Sequence, residues 1–159
     1  MKKGTKGEAS VHIDAPPEKV YELVTDVRRM GEWSPECRQC EWLDGATGPA
    51  VGARFKGSNR NGLIRWSTKP HVLVADEGRE FAFATDVRGK DLTKWSYRFE
   101  PDGDGTKVTE SFEMLADQPG VVTFVEKTVM RVKDRKADLE NDMRATLTRI
   151  KAAVEGSAS

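Results

Sequence analysis

Cysteine and histidine are scarce in this chain, with two of each in 159 residues. Two cysteines are too few for the disulfide framework of a small secreted domain. Cys37, Cys40, His12 and His71 are the whole stock for a four-ligand zinc site, and they would have to converge from three separate strands. No metal is therefore expected. Lys plus Arg and Asp plus Glu both number 26, so no net charge draws the chain toward nucleic acid or an anionic membrane. No apolar run approaches the roughly 20 residues that span a bilayer, so stable membrane insertion is not expected. The opening MKKGTKGEASVHI is basic but has no apolar core, unlike a signal peptide. Gly45, Gly48 and Gly52 are spaced like turns, and no Gly-Lys-Ser/Thr follows them to cradle a phosphate. No nucleophile elbow frames a Ser-His-Asp set. Arg54, Lys56, Arg60 and Arg65 lie among acidic neighbours and read as a solvated face. These absences leave a cytoplasmic protein with no cofactor as the expectation.

What is present suits one domain over residues 1–159, with an ordered core of about 8–155 and a fraying tail at Gly156-Ser157-Ala158-Ser159. Glu8 to Ile13 reads as a strand. Pro16-Pro17 then open a helix whose stripe is Val20, Leu23, Val24 and Val27, since a missing amide costs little in the first turn. A second short turn covers Asp26 to Met30. Six strand-like runs follow: Arg38–Leu43, Ala53–Asn59, Leu63–Ala75, Glu80–Thr85, Thr93–Glu100 and Thr106–Leu115. Short turn signals such as Asn61-Gly62 and Arg88-Gly89 separate them, so neighbouring strands should pair antiparallel. After Pro119-Gly120 the character changes. Leu139, Met143, Leu147, Ile150 and Val154 form the stripe of an amphipathic helix from about Lys133 to Val154, with an alternative start near Val122.

Period-two alternation gives the sheet one aromatic face. Trp95, Tyr97 and Phe99 point together, as do Phe81 with Phe83, and Val108 with Phe112 and Met114. Trp66, Thr68, Val72 and Val74 make a fourth row, and Phe55 and Trp42 belong to two more. Such a face is either a solid core or the lining of a cavity that one helix does not fill. Glu110 shares the inward parity of Val108 and Phe112. Buried and unpaired, its carboxyl would have a raised pKa and could serve as an acid or base. The plainer alternative is pairing with an Arg or Lys, or a place near an open strand end.

The cysteines form a CxxC pair, Cys37-Arg38-Gln39-Cys40. A redox dithiol of that spacing usually starts a helix, whose N-terminus stabilises the thiolate. Here Pro35 precedes the pair and a strand-like segment follows, so ordinary thiols near the mouth of the structure are expected. Trp33, between a helical turn and a strand, either closes over the end of a cavity or anchors its loop.

The chain as a whole resembles the START-like, helix-grip superfamily, which includes the polyketide cyclase/dehydrase and lipid-transport group. The matching pieces are APPEKVYELVTDVRRMGEWSPE, the hairpin VGARFKGSNRNGLIRW, the strand GTKVTESFE and the closing helix RATLTRIKAAVE. The resemblance implies an α+β fold: a seven-stranded antiparallel sheet curved around a long C-terminal helix, with two short helices after the first strand. It also implies an internal cavity for an apolar ligand, with Trp33, Trp66, Trp95, Met143 and Leu147 at matching positions. Joined to the parity argument, the expected lining is those five with Phe55, Phe81, Phe83, Tyr97, Phe112 and Met114, and Glu110 is the one candidate catalytic group. No universal catalytic motif accompanies the superfamily. The leading expectation is a monomer or homodimer that binds or transports a hydrophobic small molecule such as a lipid, isoprenoid or polyketide-like compound. The alternatives are a cyclase or dehydratase using acid/base chemistry in the same cavity, and an interaction or stress-response module without a ligand.

Overall fold

The computed structural model describes residues 1–156, so the expected fraying of Ser157 to Ser159 lies outside the described residues. In chain order the elements are β1 (Lys6–Ile13), α1 (Pro17–Thr25), a 3₁₀ turn (Val27–Glu32), β2 (Cys37–Trp42), β3 (Phe55–Asn61), β4 (Ile64–Thr68), β5 (His71–Asp76), β6 (Glu80–Val87), β7 (Lys90–Asp102), β8 (Gly105–Met114), α2 (Gly120–Thr128) and α3 (Arg135–Gly156). All strand pairs are antiparallel. They form a five-stranded sheet in the order β1-β8-β7-β6-β5 and a three-stranded sheet in the order β2-β3-β4.

The expectation of seven strands in one sheet is corrected to eight in two. The run Leu63–Ala75 divides at Lys69-Pro70, because proline offers no amide to a ladder. Its first half pairs with β3 and its second half with β6. The two sheets remain joined where the approach to β3 meets the start of β5. There the Val72 amide donates to the Ala53 carbonyl at 2.8 Å, and the Phe55 amide donates to the Pro70 carbonyl at 3.2 Å.

Turn chemistry sets the hairpins. Arg88 and Gly89 both have positive φ, 54° and 77°, the conformation that a two-residue turn needs to match the twist of β6 and β7. The terminal helix is also shorter than its widest expected extent, since α2 and α3 are separate. Arg131 adopts a left-handed φ of 55° and ends the first run without a glycine. The Asp134 carboxylate then accepts the Ala137 amide at 3.1 Å, the capping contact at the start of α3.

α3 lies against β1 and β8, inside the curve. Its buried residues are Leu139, Met143, Thr146, Leu147, Ile150 and Val154, spaced to share one face. α1 adds Val20, Tyr21 and Val24 to the core near the C-terminal half of α3. Among the described residues no helix is long and apolar enough to cross a membrane.

Candidate functional site

A cavity of about 390 Å³ opens between the inner faces of β2–β4, the inner faces of β6–β8 and the N-terminal half of α3. α2 and the segment Ser34–Glu36 form its rim. Phe55, Trp66, Phe83, Trp95, Tyr97, Met114, Met143 and Glu110 stand in its wall. Alternation explains most of this set. Thr93, Trp95 and Tyr97 follow one another on one face of β7, and Phe83 and Thr85 do so on β6.

Four expected wall residues belong to the packed core instead. Phe81, Phe112 and Leu147 are buried at 0 to 1 % exposure and do not border the cavity. Phe112 lies across from Gly7, whose missing side chain leaves room for its ring: a Cβ at Gly7 would stand 2.9 Å from a Phe112 ring carbon. Trp33 is 1 % exposed. The Arg149 guanidinium donates to its carbonyl at 3.1 Å, and the Arg29 guanidinium sits 5.5 Å from its ring centre. Trp33 therefore anchors its loop to α3 and does not close the cavity. Inward parity decides which side of the sheet a residue faces, not whether the space in front of it is filled. The fourth row also divides. Trp66 and Thr68 reach the cavity, Val72 joins the core, and a register shift leaves Val74 only half-buried.

The polar centre of the wall is a pair on adjacent strands. Tyr97 and Glu110 are direct partners across β7 and β8, and the Tyr97 hydroxyl donates to Glu110 Oε1 at 2.9 Å. Glu110 is 5 % exposed, and its Oε2 is buried with no partner among the described residues. Loss of water raises its pKa from 4.5 to about 8; the Tyr97 hydrogen bond opposes that shift and the Asp142 charge adds to it. The same desolvation, with the Glu110 charge, lifts the Tyr97 phenol well above its ordinary value. Near neutral pH the predominant form of Glu110 is the uncharged acid. With Tyr97 donating to Oε1, Oε2 carries the proton and offers a donor to whatever occupies the cavity.

The rim is held by charge. Arg135 at the start of α3 binds Glu36 through two hydrogen bonds of 2.8 and 3.1 Å, and it meets Glu126 of α2 at 3.2 Å. Gln118 donates to the other Glu126 oxygen at 2.6 Å, and Asn61 donates to Glu36 at 3.3 Å. These groups tie α2, β3 and the lead into β2 around one opening. Asp142, whose pKa is raised by desolvation and by Glu36, borders the same space.

The polar wall was only partly legible in the sequence. Leu139, Asp142 and Thr146 follow a three-then-four spacing beside Met143, and that helical pattern would have placed Asp142 and Thr146 at the cavity. Glu36 and Arg135 are 99 residues apart, and no local pattern links them. The cysteines need a correction. Cys37 and Cys40 are both buried, their sulfurs are 3.0 Å apart, and both face the cavity rather than its mouth. Among the described residues no group of three or more His, Cys, Asp or Glu side chains is placed to hold a metal ion.

The family described as polyketide cyclase/dehydrase and lipid transport matches the chain over residues 5–155. The solution structure of the polyketide-cyclase-like protein Cgl2372 from Corynebacterium glutamicum is 34 % identical, covers 100 % of this chain and 96 % of its own, and superposes with a TM-score of 0.66. CV1439 from Chromobacterium violaceum shares 16 % identity over 94 % of this chain and 97 % of its own, with a TM-score of 0.68. The major latex-like protein 151 of Panax ginseng also shares 16 % identity, over 94 % of this chain and 96 % of its own, again with a TM-score of 0.68. At 16 % identity these last two speak for the fold alone. No curated protein is significantly similar in sequence.

Proposed function

Since this chain belongs to the polyketide cyclase/dehydrase and lipid transport family, we propose that it binds a hydrophobic small molecule, such as a lipid, isoprenoid or polyketide-like compound, inside its cavity. The observation that carries this reading is the cavity itself: about 390 Å³, walled by Phe55, Trp66, Phe83, Trp95, Met114 and Met143. That volume lies within the usual range for small-molecule sites. Affinity comes from removing ligand carbon from water, about 25 cal/mol per Å² of apolar surface. Orientation comes from the Glu110–Tyr97 pair, whose free acid oxygen suits a neutral acceptor such as a carbonyl. A monomer or homodimer in the cytoplasm is the setting proposed, with no nucleic-acid partner.

The raised pKa of Glu110 supports a second reading, acid/base catalysis on a bound polyketide. In a cyclisation or dehydration the uncharged acid would donate its proton to a ligand oxygen while Tyr97 holds the carboxyl group in place.

Native mass spectrometry of the protein purified from its host tests the first reading. A retained small molecule is expected, and its mass identifies the class. Titration with an apolar fluorescent dye, 1-anilinonaphthalene-8-sulfonate, adds an independent check, because Trp66 and Trp95 at the wall would be quenched. A protein that carries no small molecule and binds no dye would defeat the binding reading. Glu110→Gln then separates the two: a binder keeps its ligand within a few-fold of wild-type affinity, whereas an enzyme loses turnover.

A further inference from the structure

Strand alternation alone sends residues three apart to opposite faces. Cys37 and Cys40 share a face because the pairing of β2 with β3 slips between Cys37 and Gln39, leaving Arg38 as an extra residue. Both thiols are 4 % exposed and both border the cavity. Their sulfurs stand 3.0 Å apart, about 1 Å beyond the length of a disulfide bond. Gly57 is the partner of Cys40 across β3, so no side chain competes with the sulfurs for that space. A Cβ at Gly57 would stand 3.5 Å from the Cys40 sulfur.

The two thiols are also unequal. The Cys40 hydrogen bond lowers the Cys37 pKa; burial opposes that effect and a backbone hydrogen bond from Gln39 reinforces it. The same contact with Cys37, together with burial, pushes the Cys40 thiol up. One sulfur is thus the readier nucleophile while the other keeps its proton, a division of roles that suits stepwise disulfide formation.

We propose that Cys37 and Cys40 form a reversible redox centre in the cavity wall, closed to an intramolecular disulfide by hydroperoxides that enter the cavity. The Cys37 thiolate attacks the terminal oxygen of the hydroperoxide and the O–O bond breaks. The departing alkoxide takes up the proton that Cys37 gave up and leaves as the alcohol, or as water when the oxidant is hydrogen peroxide. Cys37 is then a sulfenic acid. The Cys40 sulfur attacks the Cys37 sulfur, the sulfenic hydroxyl departs with the Cys40 proton as water, and the S–S bond forms. Two thiols are oxidised by two electrons and one hydroperoxide is reduced. An external dithiol reverses the change. None of these steps depends on what else the cavity binds.

The test uses fully reduced protein exposed to hydrogen peroxide or to cumene hydroperoxide. Remaining thiols are then blocked with N-ethylmaleimide and the intact mass is read. The expected result is a monomer lighter by about 2 Da with no maleimide adduct, restored by dithiothreitol. Cys40→Ser is expected to stop at the sulfenic acid, heavier by about 16 Da and trapped by dimedone. Cys37→Ser is expected to react at least about tenfold more slowly. Two maleimide adducts on peroxide-treated wild type, or a disulfide found only between two chains, would overturn the proposal. The wild-type mass decides the question even if either variant fails to fold. Dye binding to the reduced protein is scored separately, so loss of this centre would leave the ligand-binding reading untouched.

Discussion

α1 and α2 are each nine residues long, and each begins beside a proline. They sit near opposite ends of α3 and treat the interior differently. α1 buries Val20, Tyr21 and Val24 beneath the C-terminal half of α3, and the Tyr21 ring meets Phe99 edge-on at 5.6 Å between centres. α2 buries no residue, and Val121 and Phe124 are 68 % and 64 % exposed. Only Val122 and Glu126 of α2 reach the cavity. The curved sheet leaves room along the whole of α3. One end is filled by α1, and the other is bordered by a helix that contributes a charged contact in place of a hydrophobic plug. The hollow thus arises from what α2 withholds.

The largest expected effect tests the filled end. Phe99→Ala should lower the unfolding free energy by about 3–5 kcal/mol, because a 3 %-exposed ring is removed from close packing against Tyr21. Trp66→Ala, at a partly exposed position on the cavity wall, should cost only about 1 kcal/mol while weakening dye binding. Urea unfolding of both variants gives the comparison. Equal losses would mean that the two ends are packed alike.

The next effect depends on pH. Glu110 has a pKa of about 8 in the folded protein against 4.5 for the unconstrained group. Below about pH 4.5 both folded and unfolded chains hold the proton, and this contribution to stability is fully present. Between 4.5 and 8 the unfolded chain releases the proton while the folded chain keeps it, so stability falls as pH rises, by up to about 1 kcal/mol per pH unit. Glu110→Gln keeps an acceptor for Tyr97 and removes the titration. The gap between wild type and variant should therefore shift in favour of the variant from pH 5 to about 8. A gap that stays flat across that range would show that Glu110 is ionised and solvated in the folded state.

Arg135 tests the rim. Arg135→Met leaves Glu36 and Glu126 without their shared counter-charge, at an expected cost of about 1–3 kcal/mol. The loss should fall on α2, whose other printed tie to the body of the protein near the rim is Gln118 on Glu126. Hydrogen exchange in α2 should quicken about tenfold while β7 and β8 stay protected. Uniform acceleration would show that α2 opens only when the whole protein unfolds.

The sequence revealed the filled end better than the hollow one. Helical spacing placed Leu139, Met143, Leu147, Ile150 and Val154 on one face of α3, and all five are buried. Alternation put Trp95, Tyr97 and Glu110 inward, because a strand has only two sides. Neither rule measures depth, and so Phe81, Phe112 and Leu147 looked the same as Phe83, Met114 and Met143. The Tyr97–Glu110 contact depends on the register of β7 with β8, which the pattern of one strand does not fix. The cysteines were misplaced for a similar reason. A bulge at Arg38 reverses the parity of everything beyond it, and nothing in Cys-Arg-Gln-Cys announces one.

The smallest expected effect bears most directly on the contrast between the two helices. Phe124→Ala removes a large apolar side chain that is 64 % exposed and absent from the cavity wall. Little buried surface is lost, and alanine is the better helix former, so the two changes offset. Unfolding free energy should stay within about 0.5 kcal/mol of wild type, and dye affinity should not change. The matching change in α1, Tyr21→Ala, removes a ring that is 6 % exposed and should cost several-fold more. A Phe124→Ala loss comparable to that of Tyr21→Ala would place α2 in the hydrophobic core. The rim would then be a second plug, and the cavity would owe its existence to sheet curvature alone.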